Sequence, residues 1–429
     1  AQADGTPSVV QTIRNSGVVT YNTDSNPVST LVVAGKDVWV PFASYKATAQ
    51  YEAMEIDRVT VFASGTAAGT VHNSDSAVFT SVAVASNGAV KGSDILGAGG
   101  TSTKDIDLSA NKIIVPKDGS VNFQLWAKVS NIQSSSSVSG ATTGVHRSGM
   151  SPTMGLRSGI QTGEWDANYA GNANIRATGQ SSGERIYASA SNATHGNTFV
   201  TRKTKPVVTK QSLSSTTLAN IDQDLVKFQV AADTQGTIAL KQVMFTLSKT
   251  SGIALSNFRV RKGSSEMSTS DFAITYVSTT GAANPAVDAE TGSIATNQGS
   301  GFVVVSFTSE ESISGSGNVY TLHATVSGAV SGQNLSISFY RDPASTITTG
   351  YLQSGGDSLL NVGNGTSTSI FTIDTAVAPD GIANATGTFL WSDNSEVPHS
   401  SASSTAGGSR DWTNDVYVED LSQTQTLSL

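Results

Sequence analysis

Two stretches of this chain repeat each other at a fixed distance. Ile56-Asp-Arg-Val59-Thr-Val61 is matched by Leu240-Lys-Gln-Val243-Met-Phe245, and Ala47-Thr-Ala49 by Ala231-Ala-Asp233, so positions 47 and 231, like 59 and 243, stand 184 apart. Further on, Phe123-Gln-Leu125-Trp-Ala127-Lys-Val129 is answered by Tyr320-Thr-Leu322-His-Ala324-Thr-Val326, and positions 123 and 320 stand 197 apart, so the second copy has gained loop residues. The common order predicts a duplicated strand-loop-strand unit. Tandem modules of this kind build length and surface rather than one catalytic cleft.

The fold class follows from periodicity. Val38-Trp-Val40-Pro-Phe42, Val59-Thr-Val61, Val121-Asn-Phe123-Gln-Leu125, Phe228-Gln-Val230, Leu335-Ser-Ile337-Ser-Phe339 and Val416-Tyr-Val418 alternate apolar and polar as half-buried antiparallel strands do. Asn87-Gly88 between Val82-Ala-Val84 and Val90 reads as a tight hairpin, because both residues tolerate positive φ. The expectation is an all-β chain of tandem immunoglobulin-like β-sandwich domains with a long inter-domain excursion. It divides into an N-terminal arm (1–8), a first sandwich (9–135), a Gly/Ser-rich excursion with some strands (136–205), a second sandwich repeating the first (206–345) and a C-terminal β region (346–429). The last region carries Ile370-Phe-Thr-Ile373, Thr388-Phe-Leu-Trp391 and a closing strand at Val416-Tyr-Val418, as a small module or as the completion of the second sandwich.

Composition narrows the partners. Charged residues make up 14% of the 429, 25 basic against 33 acidic, for a formal net charge of −8. No basic stripe follows a phosphate backbone, so nucleic acid is excluded as a partner. Cysteine is absent, so stability has to come from buried sheet faces or from contacts with other subunits. No run of about 18 apolar residues suits a membrane helix. The start Ala1-Gln-Ala3 reads as the product of signal-peptide cleavage, giving an exported, extracellular or cell-surface protein.

The tail Phe389-Leu-Trp-Ser-Asp-Asn-Ser395, His399-Ser400, Asp411-Trp-Thr-Asn414, Leu421 and Gln425-Thr-Leu-Ser-Leu429 resembles the recurrent C-terminal pattern of large surface-layer-like cell-surface proteins of candidate phyla radiation bacteria. Lys205-Pro-Val-Val208, Leu218 and Leu225-Val-Lys-Phe-Gln-Val-Ala-Ala-Asp233 resemble the start of a module in the same proteins. The likeness spans residues 200 to 429 and extends more loosely over the first module; Asp415 stands where the pattern often has Gly. It implies a surface-layer or filament component; the match is to a pattern and not to a known activity, and the expectation that the chain is not an enzyme rests on the missing catalytic constellation.

The chemistry-bearing residues have plain readings beside sharper ones. Trp391 and Trp412 with Asp393, Asn394, Asp411 and Asn414 make a structural corner of large apolar faces and turn formers. The enzymatic alternative pairs His399 with Asp393 and Ser395 or Ser400 as an activated nucleophile. Gly179-Gln-Ser181-Ser-Gly183 fits a Gly-x-Ser-x-Gly spacing without the strand before it and helix after it that a nucleophile elbow needs. Gly97-Ala-Gly99-Gly100 likewise lacks the Lys and helix of a phosphate loop. His72, His146, His195, His323 and His399 are scattered without ligand spacing. Calcium, which takes oxygen ligands, is the one metal left open, with Asp222 and Asp224 in Asp222-Gln-Asp224 as its candidate ligands. The sequons at Asn192, Asn334, Asn364 and Asn384 follow from a composition rich in Ser and Thr.

Three functional classes remain. The leading one is an extracellular self-assembling structural protein, a surface-layer or filament subunit whose partner is its own kind. A donor strand in Ser8-Val-Val-Gln-Thr-Ile13 and Gly17-Val-Val-Thr-Tyr21 is one route to assembly; the first strand of its own domain is the other reading. An adhesin that binds a partner or a cell-wall or surface glycan through Trp165 and Tyr169 is the second class. A secreted hydrolase is the third, and it needs an acid/base pair that no spacing reveals.

Overall fold

The computed structural model describes residues 16–64, 78–96, 103–133, 146–150, 152–156, 173–188, 194–278, 287–288, 292–296, 299–340, 389–397, 399, 411–413, 415, 417–421 and 423–429. Every regular element among them is a strand. No helix among them is long and apolar enough to cross a membrane.

The first half contains β1 (Val18–Thr23), β2 (Leu31–Val33), β3 (Val40–Gln50), β4 (Met54–Ser64), β5 (Phe79–Ser86), β6 (Ala89–Ile95), β7 (Thr103–Asp107), β8 (Ile113–Val115), β9 (Ser120–Val129), β10 (Thr153–Leu156), β11 (Ile175–Gly179), β12 (Arg185–Ala188), β13 (Thr194–His195) and β14 (Val200–Arg202). One sheet runs β1-β3-β9-β5-β6; the other runs β12-β11-β4-β10-β13, with β7 and β8 also paired to β4. Alternate residues of each strand face inward, so Tyr45, Phe123, Leu125, Met54, Ile56 and Val61 share one core.

The second half contains β15 (Pro206–Gln211), β16 (Asp222–Ala232), β17 (Ile238–Lys249), β18 (Ala254–Lys262), β19 (Ser265–Glu266), β20 (Phe272–Ser278), β21 (Val287–Asp288), β22 (Ser293–Ile294), β23 (Ser300–Ile313), β24 (Asn318–Ser327), β25 (Asn334–Phe339), β26 (Phe389–Ser392), β27 (Trp412–Thr413) and β28 (Thr424–Ser428). Its sheets run β15-β16-β24-β18-β19 and β21-β20-β23-β17-β25-β28, with β26 on β17 and β27 on β26. Phe228, Phe245, Tyr320, Leu322 and Trp391 belong to a second core. The chain is therefore a tandem pair of immunoglobulin-like β-sandwiches.

The duplication holds at the level of register. In the first copy β4 pairs with β11 through Val59↔Ile175, and in the second β17 pairs with β26 through Val243↔Phe389. Both pairings carry a bulge at the same place, skipping Asp57 in one copy and Lys241 in the other. A ladder slips by one residue only where the strand is built for it, so the shared bulge marks one ancestral strand. Tyr45 stacks on Phe123 at 5.3 Å in the first core, and Phe228 packs against Tyr320 at 5.7 Å in the second. The same cross-strand pair thus recurs with its hydroxyl moved to the other member.

One element of the repeat needs correction. Ala47 and Ala49 are buried, but their counterparts on β16 are the buried Val230 and Ala232, not Ala231 and Asp233. The 184 spacing is one residue out of register there, because the turn from Ala49 to Met54 is one residue shorter than the turn from Ala232 to Ile238. A shift of one residue in a strand exchanges its faces, so the short Ala-x-Ala match was compositional. The closing strand expected at Val416-Tyr-Val418 is also different: Tyr417 lies in a turn with φ 59°, and the closing strand is β28, paired with β25 through Leu335↔Leu427. The Asn87-Gly88 hairpin forms as its residues require, with φ of 53° and 72° and Ser86↔Ala89 closing the ladder.

Strands from both uncertain regions join sheets. Of the segment 136–205, β10 and β11 pair along β4, the place that β25 and β26 hold along β17 in the second copy. Ile370-Phe-Thr-Ile373 lies outside the described residues. Residues 17–21, offered above as part of a donor strand, begin the chain's own first sheet, where Val18–Thr23 pairs with β3; Ser8–Ile13 lies outside the described residues.

β2 joins the two halves. It pairs in parallel with β14 (Val200↔Leu31, Arg202↔Val33) as a ribbon between the sandwiches. Its side chains alternate in destination: Val32 and Ala34 enter the first core, Leu31 and Val33 the second. Each buried aliphatic side chain contributes roughly 1.5–3 kcal/mol, so a single short strand links the stability of both sandwiches.

Candidate functional site

A buried polar cluster sits where β14 leaves the first sandwich and meets the tail of the second. Parallel pairing of β14 with β2 carries Arg202 inward, and its guanidinium is fully buried. Arg202 Nη1 donates to Ser148 Oγ at 3.0 Å and to the Asp411 carbonyl at 2.7 Å, while the guanidinium carbon lies 5.6 Å from the Trp391 ring centroid. This is a desolvated cation over the negative face of an indole.

Asp393 sits on the other side. It follows β26, and Asn394 turns the chain after it at φ 50°, a conformation that Asn tolerates. Asp393 Oδ2 accepts the Ser148 hydroxyl and the Lys203 backbone N–H, the latter at 2.7 Å, and Oδ1 accepts the Ser395 hydroxyl at 2.7 Å. Burial pushes its carboxyl pKa up and the Asp411 charge adds to this, while Arg202 and the hydroxyls oppose it. Burial likewise lowers the Arg202 pKa against the pull of Asp393 and Asp411. A buried pair of this kind persists only when its remaining hydrogen-bond capacity is met.

The cluster extends through Asp411. Its Oδ2 accepts the Glu396 N–H at 3.2 Å and faces His399 Nδ1 at 2.8 Å. His399 Nε2 lies 3.2 Å from Glu310 Oε2, and the imidazole stacks on Trp412 at 5.3 Å. Burial lowers the His399 pKa, but the hydrogen bonds and charges of Asp411 and Glu310 outweigh it and the net direction is up. On the first-sandwich side, His146 Nε2 meets Thr201 Oγ1 at 2.8 Å, and burial pushes the His146 pKa down to about 4. Lys36–Asp233 at 2.7 Å spans the sandwiches nearby.

What this cluster can do chemically is limited by its pairings. His399 and Asp411 have the base-and-orienter half of a hydrolytic triad, but the far imidazole nitrogen faces the Glu310 carboxylate rather than a hydroxyl. Asp393 does not meet His399, and the Ser395 hydroxyl is engaged by Asp393; Ser400 lies outside the described residues. The grouping of His399 with Asp393 and Ser395 is thus not formed, and among the described residues Trp391 and Trp412 are both buried at this corner.

The Gly179-to-Gly183 motif is a turn that holds a carboxylate. Ser181 N, Ser182 N and Ser182 Oγ donate to Glu52 at 2.8, 2.9 and 2.7 Å, and Gly17 N donates to it at 2.6 Å. The Ser182 hydroxyl and N–H, with Ser181 and Gly17, hold the Glu52 pKa down to about 2 against its burial. Register places Gly179 (opposite Met54) where the second copy has Asp393, and a Cβ on Gly179 would clash with Glu52 Oε1. Both sandwiches therefore put a carboxylate at the same corner to fix the backbone entering their first strand, from Glu52 in one and Asp393 in the other.

The calcium candidates lie on one face of β16. Asp222 accepts the Thr325 hydroxyl at 3.1 Å, and Asp224 accepts Arg261 Nη1 at 2.7 Å, so a cation already neutralises one of the two. Among the described residues, no group of three or more His, Cys, Asp or Glu is arranged to hold a metal ion. His323 lies buried between Asp222 and Glu266 at 4.0 and 3.5 Å. His72, Trp165, Tyr169 and the His195 side chain lie outside the described residues.

No family model matches the sequence, and no curated protein sequence matches it. Solved structures give likenesses of low score. A chain described as BspA_C_mut is 8% identical, covered over 94% of its length against 75% of this chain, with a TM-score of 0.16. Staphylococcus aureus collagen adhesin is 9% identical, covered over 87% against 76%, with a TM-score of 0.13. The Streptococcus pneumoniae pilus protein RrgB is 10% identical over 65% of this chain, with a TM-score of 0.17, and the chain spans 43% of its length. Scores this low carry no functional argument.

Arg202, Ser148, Glu310 and Glu52 are the residues that sequence reading missed. Arg202 lies in Thr201-Arg-Lys-Thr-Lys205, beside the resemblance at Lys205. Its partners lie far along the chain and no local spacing points to them.

Proposed function

We propose that this chain is an extracellular structural subunit of a bacterial cell surface, a surface-layer or filament component that assembles with copies of itself. The observation that carries this reading is the joint. β2 shares its side chains between two cores, and Arg202 is locked between Ser148, Trp391 and Asp411. A strand shared between two cores holds the sandwiches in a fixed relation, which suits a load-bearing unit. The sparsely charged, cysteine-free sequence and the duplicated sandwich suit the same role. Among the described residues, the Glu52 and Asp393 carboxylates hold backbone N–H groups.

Sedimentation velocity and electron microscopy of the purified chain over a wide concentration range test this. Assembly into a lattice or filament is expected. A protein that stays monomeric throughout and saturably binds a glycan moves the reading to the adhesin class.

A further inference from the structure

The far end of the second sandwich rebuilds the end of the first that this chain buries. Thr217 bridges Ser428 in parallel, with Ser428 N donating to Thr216 O at 3.1 Å and Leu218 N to Ser428 O at 2.9 Å. In the first copy Leu31 pairs with Val200 in parallel, and Val200 N donates to Thr30 O at 3.1 Å. Thr217 is therefore the counterpart of Leu31, Leu218 of Val32, and Ser428 of Val200. Val32 and Leu218 each fill the core of their own sandwich. Leu31 instead enters the core of the next sandwich, whereas Thr217 is exposed.

Exposed apolar side chains lie at the same end. Ile221 is 60% exposed, Val330 59% and Leu429 43%. Backbone hydrogen bonds tie them to one end of the sandwich: Val326 N donates to Ile221 O and Gly332 N to Leu429 O, both at 2.9 Å. The opposite end of the tandem, at the turn between β3 and β4, presents Tyr51. It is 51% exposed with φ 76°, and its N–H is fixed to Asp118 Oδ1 at 3.0 Å. The aromatic side chain is half exposed at a positive-φ turn, and Tyr suits a contact that is apolar with one polar tip.

We infer that the end carrying Ile221, Val330 and Leu429 docks on the Tyr51 end of a second copy of this chain, so that copies stack head to tail as the two sandwiches stack within one chain. The inference rests on the self-assembly reading above and adds the surface and the polarity. Because the two ends differ, the contact is heterologous, and because they lie at opposite ends of the tandem, continued stacking runs on as an open rod rather than a closed ring.

The test uses the full chain and two variants whose changes lie on exposed positions: Ile221→Asp with Val330→Asp, and Tyr51→Asn, Asn being chosen because it tolerates positive φ. A cooperative melting transition and a β-type circular dichroism spectrum like the parent's verify folding. Sedimentation velocity is expected to show each variant raising the dissociation constant at least tenfold and abolishing rods in micrographs. An equimolar mixture of the two retains one intact pair of ends, so it forms dimers that grow no further. Variants that assemble like the parent overturn this surface and leave self-assembly standing through another; a parent chain monomeric at every concentration overturns both.

Discussion

Lys203 and Asp393, 190 positions apart in the chain, meet through a 2.7 Å hydrogen bond from the backbone N–H of one to the buried carboxylate of the other. The bond fixes the path of the chain as it passes from the first sandwich into the second, and Arg202, the preceding residue, brings the positive charge that makes this carboxylate tolerable in a water-free site.

Replacing Arg202 with Ala removes that charge and leaves Asp393 and Asp411 buried together. A loss of about 3–5 kcal/mol is expected, as for other buried pairs broken on one side. Urea denaturation measures it, and a loss below about 1 kcal/mol would show that the site is not desolvated.

Leu31→Asp with Val33→Asp puts two carboxylates into the second core from a strand that otherwise belongs to both. The parent chain is expected to melt in one calorimetric transition, because β2 couples the sandwiches. The double variant should melt in two, with the second sandwich first.

Glu52 has its folded pKa depressed to about 2, below an unfolded value of about 4.3. Its contribution is present above the unfolded value and is lost as pH falls toward 2. Glu52→Gln should flatten the thermal stability profile of the first sandwich between those limits. Gly179→Ala, whose Cβ would press on the Glu52 side chain and on Ser182 Oγ, should destabilise the parent and Glu52→Gln alike, and Glu52→Ala less.

His399 and His146 titrate with opposite consequences. The folded His399 pKa is raised, so its contribution is complete below the unfolded value of about 6.5 and fades as pH climbs through the folded one. The His146 pKa is lowered to about 4, so its contribution is complete above about 6.5 and fades as pH drops toward 4. His399→Gln should remove the alkaline loss, read by the fluorescence of Trp412 stacked on the ring; a slope that persists in the variant assigns the loss elsewhere.

The sequence by itself determined the local and periodic features of this protein. Alternation along Val121–Leu125 and Leu335–Phe339 places β9 and β25, Asn87-Gly88 makes its hairpin through φ alone, and the duplication is visible in β4 and β17 because buried strands keep their apolar spacing. The corner of Trp391 and Trp412 was likewise readable from its turn formers. Only the tertiary structure decided what touches what. The register of Ala47 against Val230 depends on a turn one residue shorter, which no local pattern records. The meeting of Arg202, Ser148, Asp393 and Asp411 depends on two sandwiches stacking end to end. Alternation sets which face of a strand is apolar, but it cannot say which core receives it; β2 feeds two, because only packing brings a second one within reach.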